Sequence, residues 1–558
     1  MRYTPENPLI VQSDHTLLLE TMGPNFAHVR DALARFAELV KSPEYVHTWK
    51  ITPLSLWNAA AAGAKTEDVV GVLTAWSKYD VPPNVPIWVQ HTMARYGRLR
   101  LLAKGKELVL EADTALLMAE VRSQKGVGDL LDAKVDERRS MVSPGNRGLL
   151  KQALVKVGHP VQDLAGFTDG AALAIQIRPM RKAGPAWSMR TYQEQASAAF
   201  LAGPDTGGEG GSGVVVLPCG AGKTIVGISA IVRLGMRTLI LCTNVTALRQ
   251  WRDEILDKTT LTEDEVGEYS GERKEVKPIT LTTYQMLTWR KSKQDTFQNM
   301  ALFDLEKWGL IVYDEVHLLP APVFRSVAQL QARRRLGLTA TLVREDGHEG
   351  DVFALIGPKR FDVPWRDLEH QGWIATARCS EIRVELPEKD RFIYSIADDK
   401  EKFRLAATNP RKMDVVESLL ARHPGARVLI LGMYLDQLHE MSDRIGVPLI
   451  TGDTRQKARD ELYGKFRTGE VPVMVISRVG NFSVDLPDAN VAIQISGTWG
   501  SRQEEAQRLG RVLRPKSDGN VAWFYSIVSR DTTEQEFAEK RQLFLTEQGY
   551  AYEIEVVA

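Results

Sequence analysis

The sequence predicts an α/β protein with two doubly wound parallel-sheet domains in tandem, preceded by a mainly helical N-terminal domain and a small mixed α/β domain. Three observations carry this. Two successive series of short, β-rich apolar runs alternate with amphipathic helical segments. The runs are apolar throughout, not alternating, as strands buried on both faces of a parallel sheet require. Ahead of them, the first stretch of chain shows apolar positions at helical spacing.

Taken in order, HVRDALARFAELV (28–40) and TEDVVGVLTAWSKY (66–79) are the expected N-terminal helices. Trp49, Trp57, Trp76 and Trp88 fall in this region. They could stack on bases, but tryptophan within amphipathic segments is expected in the core. A mixed stretch ends near RPMRKAGPAW (178–187), the expected linker. The first α/β series then runs GVVVLP (213–218), TLILCT (238–243), ITLTT (279–283), GLIVYDE (309–315) and RRLGLTA (334–340). Its helical partners include TIVGISAIVRLG (224–235) and VTALRQWRDEIL (245–256). The second series runs RVLILG (427–432), VPLITG (447–452), VPVMVIS (471–477), NVAIQIS (490–496) and VAWFYSIVS (521–529).

Composition narrows the class. The 558 residues, 44% hydrophobic and 25% charged, leave ample material for several cores and exclude global disorder, collagen and a coiled coil. Lys+Arg and Asp+Glu are equal at 71 each, so no net field steers the chain toward a polyanion, although a local groove can still be basic. Cys219, Cys242 and Cys379 are too few and too scattered for a disulfide framework, a four-cysteine zinc site or an iron–sulfur cluster, so none is expected. That usage favours a reducing compartment. The start MRYTPENPLI carries no basic region followed by an apolar one, and no apolar run approaches a membrane span. A cytoplasmic protein without a membrane partner is expected.

Three constellations carry chemistry. LPCGAGKT (217–224) lies between an apolar strand and a helix. A phosphate loop needs small residues so that backbone N–H groups wrap the β-phosphate, a lysine for the β/γ-phosphates and a hydroxyl for Mg²⁺. Gly220, Gly222, Lys223 and Thr224 supply these, while Leu217 replaces the first glycine of the strict pattern. IVYDEVH (311–317) places Asp314 and Glu315 at the end of a buried run, where ligand sites of open parallel sheets lie. There one carboxylate holds Mg²⁺ and its neighbour orients the attacking water. EAQRLGRVLRP (505–515) spaces Arg508, Arg511 and Arg514 so that Arg511 and Arg514 share a helix face with Gln507. In isolation this is a solvated basic face. In a two-domain ATPase it supplies an arginine finger in cis, an effect of order 10³–10⁵ in rate.

LPCGAGKT, DEVH, LGLTATLVRED (336–346) and QRLGRVLR (507–514) resemble motifs I, II, III and VI of superfamily 2 helicases, specifically those of the XPB family. RTYQEQ (190–195) is similar to the family's Q motif and VGNFSVDLPDANVAIQIS (479–496) to its motif V. ITPLSLWNAAAAG (51–63), ARYGRLRL (94–101) and the tail EKRQLFLTEQGYAYEI (539–554) also resemble XPB segments. The compact length without long charged tails looks more like a prokaryotic member than a eukaryotic transcription-factor subunit.

The resemblance implies an XPB-type N-terminal domain over 1–104 and a damage-recognition-like domain over 105–180. Two RecA-like domains follow, over 181–365 and 366–558, the second with a short thumb-like insert near 386–408. It also implies ATP and Mg²⁺ as cofactors, duplex or forked DNA as partner, 3′-to-5′ translocation and unwinding in nucleotide excision repair, a partner nuclease and a monomeric state. By motif match Gln193 reads adenine and Asp485 sits near the ribose, beside Gly220, Gly222, Lys223 and Thr224. Thr224 and Asp314 hold the metal. Lys223, Glu315, Gln507, Arg511 and Arg514 carry catalysis. His317, Thr339 and Thr341 couple hydrolysis to DNA. Arg344, Glu345 and Asp346 match the family's RED motif, implicated in strand separation. Gln250, Trp251, Thr283, Gly452 and Arg478 stand in DNA-contacting motifs. A rival reading is a nucleotide-gated DNA-binding scaffold that recruits a repair nuclease. Intact Lys223, Asp314, Glu315, Arg511 and Arg514 argue against it. A DEAD-box RNA helicase fits poorly, because DEVH and TAT replace the usual residues.

Overall fold

A computed structural model describes residues 3–41, 45–105, 107–143, 146–165, 170–182, 184, 186–202, 210–218, 220–287, 289, 308–318, 332, 334–340, 349–363, 365–477, 489–497, 521–547 and 550–557. The chain forms two compact units, residues 1–217 with 222–362 and residues 363–558 with 218–221.

The first unit opens on an antiparallel sheet, which corrects the mainly helical expectation. Strands β1 (Leu9–Val11), β2 (Thr16–Glu20), β3 (Glu38–Lys41) and β4 (Val46–Lys50) pair in the order β1-β2-β4-β3. TLLLE and VHTWK alternate buried and less buried positions with period two, the mark of strands covered mainly on one face. Helix α1 (Phe26–Leu33) takes only the front of the segment expected to be helical at 28–40. The rest becomes β3, because pairing of Glu38 with Lys50 outweighs local periodicity. Helices α2 (Pro53–Ala61), α3 (Thr66–Trp76) and α4 (Asn84–Met93) cover this sheet. α2 starts cleanly because Thr52 accepts from the Ser55 N–H and Pro53 occupies the first helical position. Trp49 and Trp57 are buried, and Trp76 and Trp88 pack half-buried on the same core. Each large apolar side chain buried there contributes ~1.5–3 kcal/mol.

A second small sheet, β7-β6-β5-β8, comprises β5 (Leu99–Lys104), β6 (Glu107–Ala112), β7 (Arg139–Val142) and β8 (Val161–Asp163). Helices α5 (Ala115–Ser123) and α6 (Arg147–Lys156) complete it. The boundary expected at 104/105 therefore falls inside the β5–β6 hairpin, and the sheet begins at Leu99. Trp57 and Ala61 of α2 meet Phe353 of the helix Glu349–Leu355, with Val155 of α6 against the same cluster. The Arg360 guanidinium donates to the Ala61 carbonyl at 2.8 Å. Within this unit, then, both small sheets lean on the large one.

That large sheet is all parallel, in the order β11-β12-β10-β13-β14-β9-β15. Its strands are β9 (Ser212–Val216), β10 (Thr238–Cys242), β11 (Val266–Tyr269), β12 (Ile279–Thr283), β13 (Leu310–Asp314), β14 (Arg334–Thr339) and β15 (Lys359–Asp362). Helices α7 (Thr191–Leu201), α8 (Lys223–Leu234) and α9 (Val245–Lys258) flank it. β10 and β12 are buried at every position, which is why they read as unbroken apolar or Thr-rich runs. The linker segment 178–187 is fastened by Arg178 and Lys182 N–H groups donating to the Lys258 and Asp257 carbonyls.

The second unit carries another all-parallel sheet, β18-β19-β17-β20-β21-β16-β22. It consists of β16 (Thr376–Val384), β17 (Val428–Leu431), β18 (Leu449–Ile450), β19 (Val473–Ile476), β20 (Val491–Gln494), β21 (Val521–Ser529) and β22 (Tyr552–Val557). The region expected as a thumb forms two helices, Glu388–Ile396 and Asp399–Ala407, the second capped by Asp398 accepting from the Glu401 N–H at 2.9 Å. A buried ion pair braces the unit. Lys412 Nζ lies 2.7 Å from Glu534 and donates to the Ile495 carbonyl at 2.8 Å, just beyond β20. Among the described residues, no helix is long and apolar enough to cross a membrane.

Candidate functional site

The site assembles in the first unit where the phosphate-loop helix begins and the central strands end. β9 delivers the chain to Leu217, which is buried and donates its N–H to the Thr339 carbonyl at 3.0 Å. Gly220 and Gly222 follow with φ of +80° and +79°. At Gly222 the positive φ favours glycine, and a Cβ there would also sit 2.5 Å from Nε2 at the tip of Gln193. Gln193 is itself buried, with Oε1 accepting from the Arg190 N–H at 3.0 Å. Lys223 and Thr224 open α8, whose first N–H groups and dipole favour an anion.

β13 ends on Asp314, and Glu315 takes a left-handed backbone at φ +48°, a conformation that costs a non-glycine residue ~1–3 kcal/mol. The turn aims the Glu315 carboxylate back at the phosphate loop, with Oε1 3.1 Å from Lys223 Nζ. Its other oxygen is buried and has no hydrogen-bond partner among the described residues; His317 Nδ1 stands 3.5 Å away. His317 is hydrogen-bonded through that nitrogen to Thr339 Oγ1 at 2.6 Å, and both side chains are buried.

Asp314 is held from two sides. Trp251 Nε1 donates to Oδ2 at 3.1 Å, and the Tyr284 hydroxyl donates to the Asp314 carbonyl at 2.8 Å. The two adjacent carboxylates are driven apart in acidity. Burial and then the Glu315 charge push Asp314 up. Burial pushes Glu315 up as well, but Lys223 and then His317 outweigh it and leave Glu315 below its ordinary value. Glu315 is thus the carboxylate held ionised by its partners. Hard oxygen donors at Thr224 and Asp314, beside an orphaned Glu315 oxygen, fit a hydrated Mg²⁺ better than a soft metal.

The structure brings together Gln193, Gly222, Lys223, Asp314, Glu315, His317 and Thr339 in this unit. It relocates Trp251, which was expected at DNA. The indole is only 2% exposed and donates to Asp314, so it presents no face to a nucleic acid, whereas Gln250 beside it is exposed. Thr283 is also buried, its hydroxyl accepting from the Met286 N–H at 3.2 Å as a cap. Gly452 is exposed and its carbonyl accepts from Arg459 at 2.7 Å. Thr341, Arg344, Glu345, Asp346, Arg478, Asp485, Gln507, Arg511 and Arg514 lie outside the described residues.

Motif reading missed Tyr284 altogether and gave Trp251 a place at DNA instead of beside Asp314. A signal existed for Trp251: Leu248, Trp251 and Ile255 share one buried stripe of α9. No such signal marked the buried cluster in which Asp163 of β8 pairs with Arg147 and Lys151 of α6 and with Arg335 of β14.

Residues 368–557 match the ERCC3/RAD25/XPB C-terminal helicase family model. Residues 186–344 match that of the type III restriction enzyme res subunit, and 9–136 that of a helicase conserved C-terminal domain. The chain is 54% identical over 551 residues to the DNA 3′-5′ helicase XPB of Kineococcus radiotolerans, covering 98% of this chain and 96% of that one. It is 52% identical over 550 residues to the protein of the same name from Mycobacterium tuberculosis, covering 98% and 97%. A general transcription and DNA repair factor IIH helicase/translocase subunit XPB from Antonospora locustae is 34% identical over 569 residues, covering 98% of this chain and 81% of that one. Motif order, two parallel-sheet domains and near full-length identity agree: the chain belongs to the XPB family of DNA helicases.

Proposed function

We propose that the chain is an ATP-driven 3′-to-5′ DNA helicase and duplex translocase that opens DNA during nucleotide excision repair. The observation that carries the reading is the 3.1 Å pair between Lys223 at the start of α8 and Glu315 at the end of β13. It joins a phosphate-binding cation to a carboxylate placed to act on water.

The chemistry follows from these residues. Gly220 and Gly222 let the backbone wrap the β-phosphate, and the amides opening α8 receive its charge. Gln193 supports the loop at Gly222 and serves adenine recognition. Lys223 turns to the β/γ-phosphates of ATP. Glu315, released from Lys223, orients the attacking water and accepts its proton. Mg²⁺, when bound, offsets phosphate charge, and Thr224 and Asp314 would hold it. By motif resemblance, Gln507, Arg511 and Arg514 are assigned to the γ-phosphate and Asp485 to the ribose. No zinc or iron–sulfur cluster enters this account. His317 and Thr339 pass the state of Glu315 to β14, and Thr341 and Arg344-Glu345-Asp346, next in the chain, are assigned to coupling and strand separation. Gln250, Thr283, Gly452 and Arg478 belong to the strand-contacting motifs. The protein acts in the cytoplasm as a monomer on duplex or forked DNA, alongside a repair nuclease.

The test is ATP hydrolysis with single-stranded, duplex and forked DNA, beside strand displacement from substrates with a 3′ or a 5′ tail. DNA-stimulated hydrolysis with displacement from the 3′ tail alone is expected. Hydrolysis indifferent to DNA would favour a nucleotide-gated scaffold instead.

A further inference from the structure

Trp251 lies on the buried stripe of α9, and Arg249 and Gln250 on its exposed side. Its surroundings fix the ring more tightly than packing alone requires. A Cβ added at Gly227 of α8 would meet Trp251 Cη2 at 2.5 Å and Cζ3 at 3.1 Å, so this helix carries glycine where the indole crosses it. The same hypothetical Cβ would meet Leu338 Cδ1 of β14 at 3.3 Å, which places the ring between α8 and the sheet. The polar edge of the clamped ring reaches Asp314 Oδ2 at 3.1 Å. An indole N–H can only donate, so it engages one carboxylate oxygen and fixes the rotation of the group. A carboxylate held by an outer partner binds its metal better, and loss of such a partner costs ~10–100-fold in metal affinity.

We propose that Trp251 is a positioning residue of the nucleotide site, its indole N–H orienting the Asp314 carboxylate toward Mg²⁺. The inference rests on the assignment of Asp314 to Mg²⁺ made above. It also gives α9 a direct mechanical tie to the metal-binding strand end, one residue from the exposed Gln250.

The experiment measures the affinity of a fluorescent ADP analogue without DNA, in excess Mg²⁺ and again in EDTA. It uses the full chain, Trp251→Phe and Asp314→Asn. The full chain should bind more tightly with Mg²⁺, and Asp314→Asn should lose that gain. Trp251→Phe should keep its EDTA affinity within about twofold while its Mg²⁺ half-saturation rises ~10-fold. Full retention of the wild-type Mg²⁺ response by Trp251→Phe would overturn the proposal. An equal loss with and without metal would also overturn it, by assigning Trp251 to packing. If Asp314→Asn kept the Mg²⁺ gain, the metal assignment itself would fall, and this inference with it. Should Trp251→Phe not fold, benzothienylalanine at position 251 keeps the volume and removes only the N–H; the same two outcomes decide.

Discussion

Lys223 and Glu315 are joined as an ion pair at 3.1 Å, so in this structure the cation proposed to bind phosphate and the carboxylate proposed to orient water neutralise each other. The pairing joins distant parts of the chain, the start of α8 and the end of β13, where Glu315 stands at φ +48°. In the proposed mechanism a γ-phosphate competes with Glu315 for Lys223, so that substrate binding would free the carboxylate when it is wanted, whereas the pair seen here keeps it occupied.

Two substitutions separate the partners. Lys223→Ala should reduce DNA-stimulated hydrolysis by ~10³-fold or more, with nucleotide-free DNA binding largely kept. Glu315→Gln should cut hydrolysis to a similar extent while leaving ATP affinity within a few-fold. A nucleotide-binding assay beside steady-state hydrolysis reads both. Equal loss of ATP affinity in the two variants would reassign Glu315 to binding.

Thr339→Val preserves shape but strips the hydroxyl from His317 Nδ1, now 2.6 Å away. A buried ring nitrogen left without that partner costs ~1–3 kcal/mol. Hydrolysis without DNA should stay within about threefold, while DNA stimulation and strand displacement fall by ~10-fold, the direction expected if this bond transmits the state of Glu315. Identical losses with and without DNA would place the defect in hydrolysis itself.

The cluster around Asp163 predicts a pH dependence of stability. Burial lowers Lys151 from 10.5 to about 7, with Arg335 and Arg147 adding to burial and Asp163 opposing it. The folded value lies below the unfolded one, so between about pH 7 and 10.5 the unfolded chain holds more protons at this site. Its contribution to stability therefore rises with pH across that window. Lys151→Met removes the term. The Tm of the wild-type protein minus that of Lys151→Met should become more positive from pH 7 to 10 in matched melts, and a constant difference would refute the linkage.

Arg344, Glu345 and Asp346 follow the Thr339-Ala340-Thr341 segment closely in the chain but stand beyond it. If they act at the fork, with Arg344 on phosphate and the two carboxylates repelling one strand, replacing all three by Ala should reduce strand displacement much more than DNA-stimulated hydrolysis. Parallel loss of both activities would make the segment a coupling element, and no change in either would make it a solvated turn.

Most inner strands of both large sheets were legible in the sequence, because β9, β10, β12, β13, β14, β17, β19 and β20 are buried at nearly every position and read as largely apolar or Thr-containing runs. Several edge and near-edge strands were not, although the edge strand β18 was read from VPLITG (447–452). β11, β15, β16 and β22 carry polar residues such as Glu268, Lys359, Glu381 and Glu553, which no continuous apolar run could announce. The N-terminal sheet was hidden for a related reason: β3 is defined by pairing with β4, and the helical spacing of 28–40 says nothing about that partner. At the site, the roles proposed for Lys223, Thr224, Asp314 and Glu315 were read from residue type and from position at the ends of predicted elements. Backbone amides, a cation and carboxylates at a strand terminus have few other uses. What the tertiary structure alone decided is who holds whom: Lys223 on Glu315, His317 on Thr339, Trp251 on Asp314, and Asp163 on an arginine 172 positions away. Those contacts depend on strand order and helix rotation. Both are settled by the burial of whole faces, a collective outcome that no local stretch of sequence encodes.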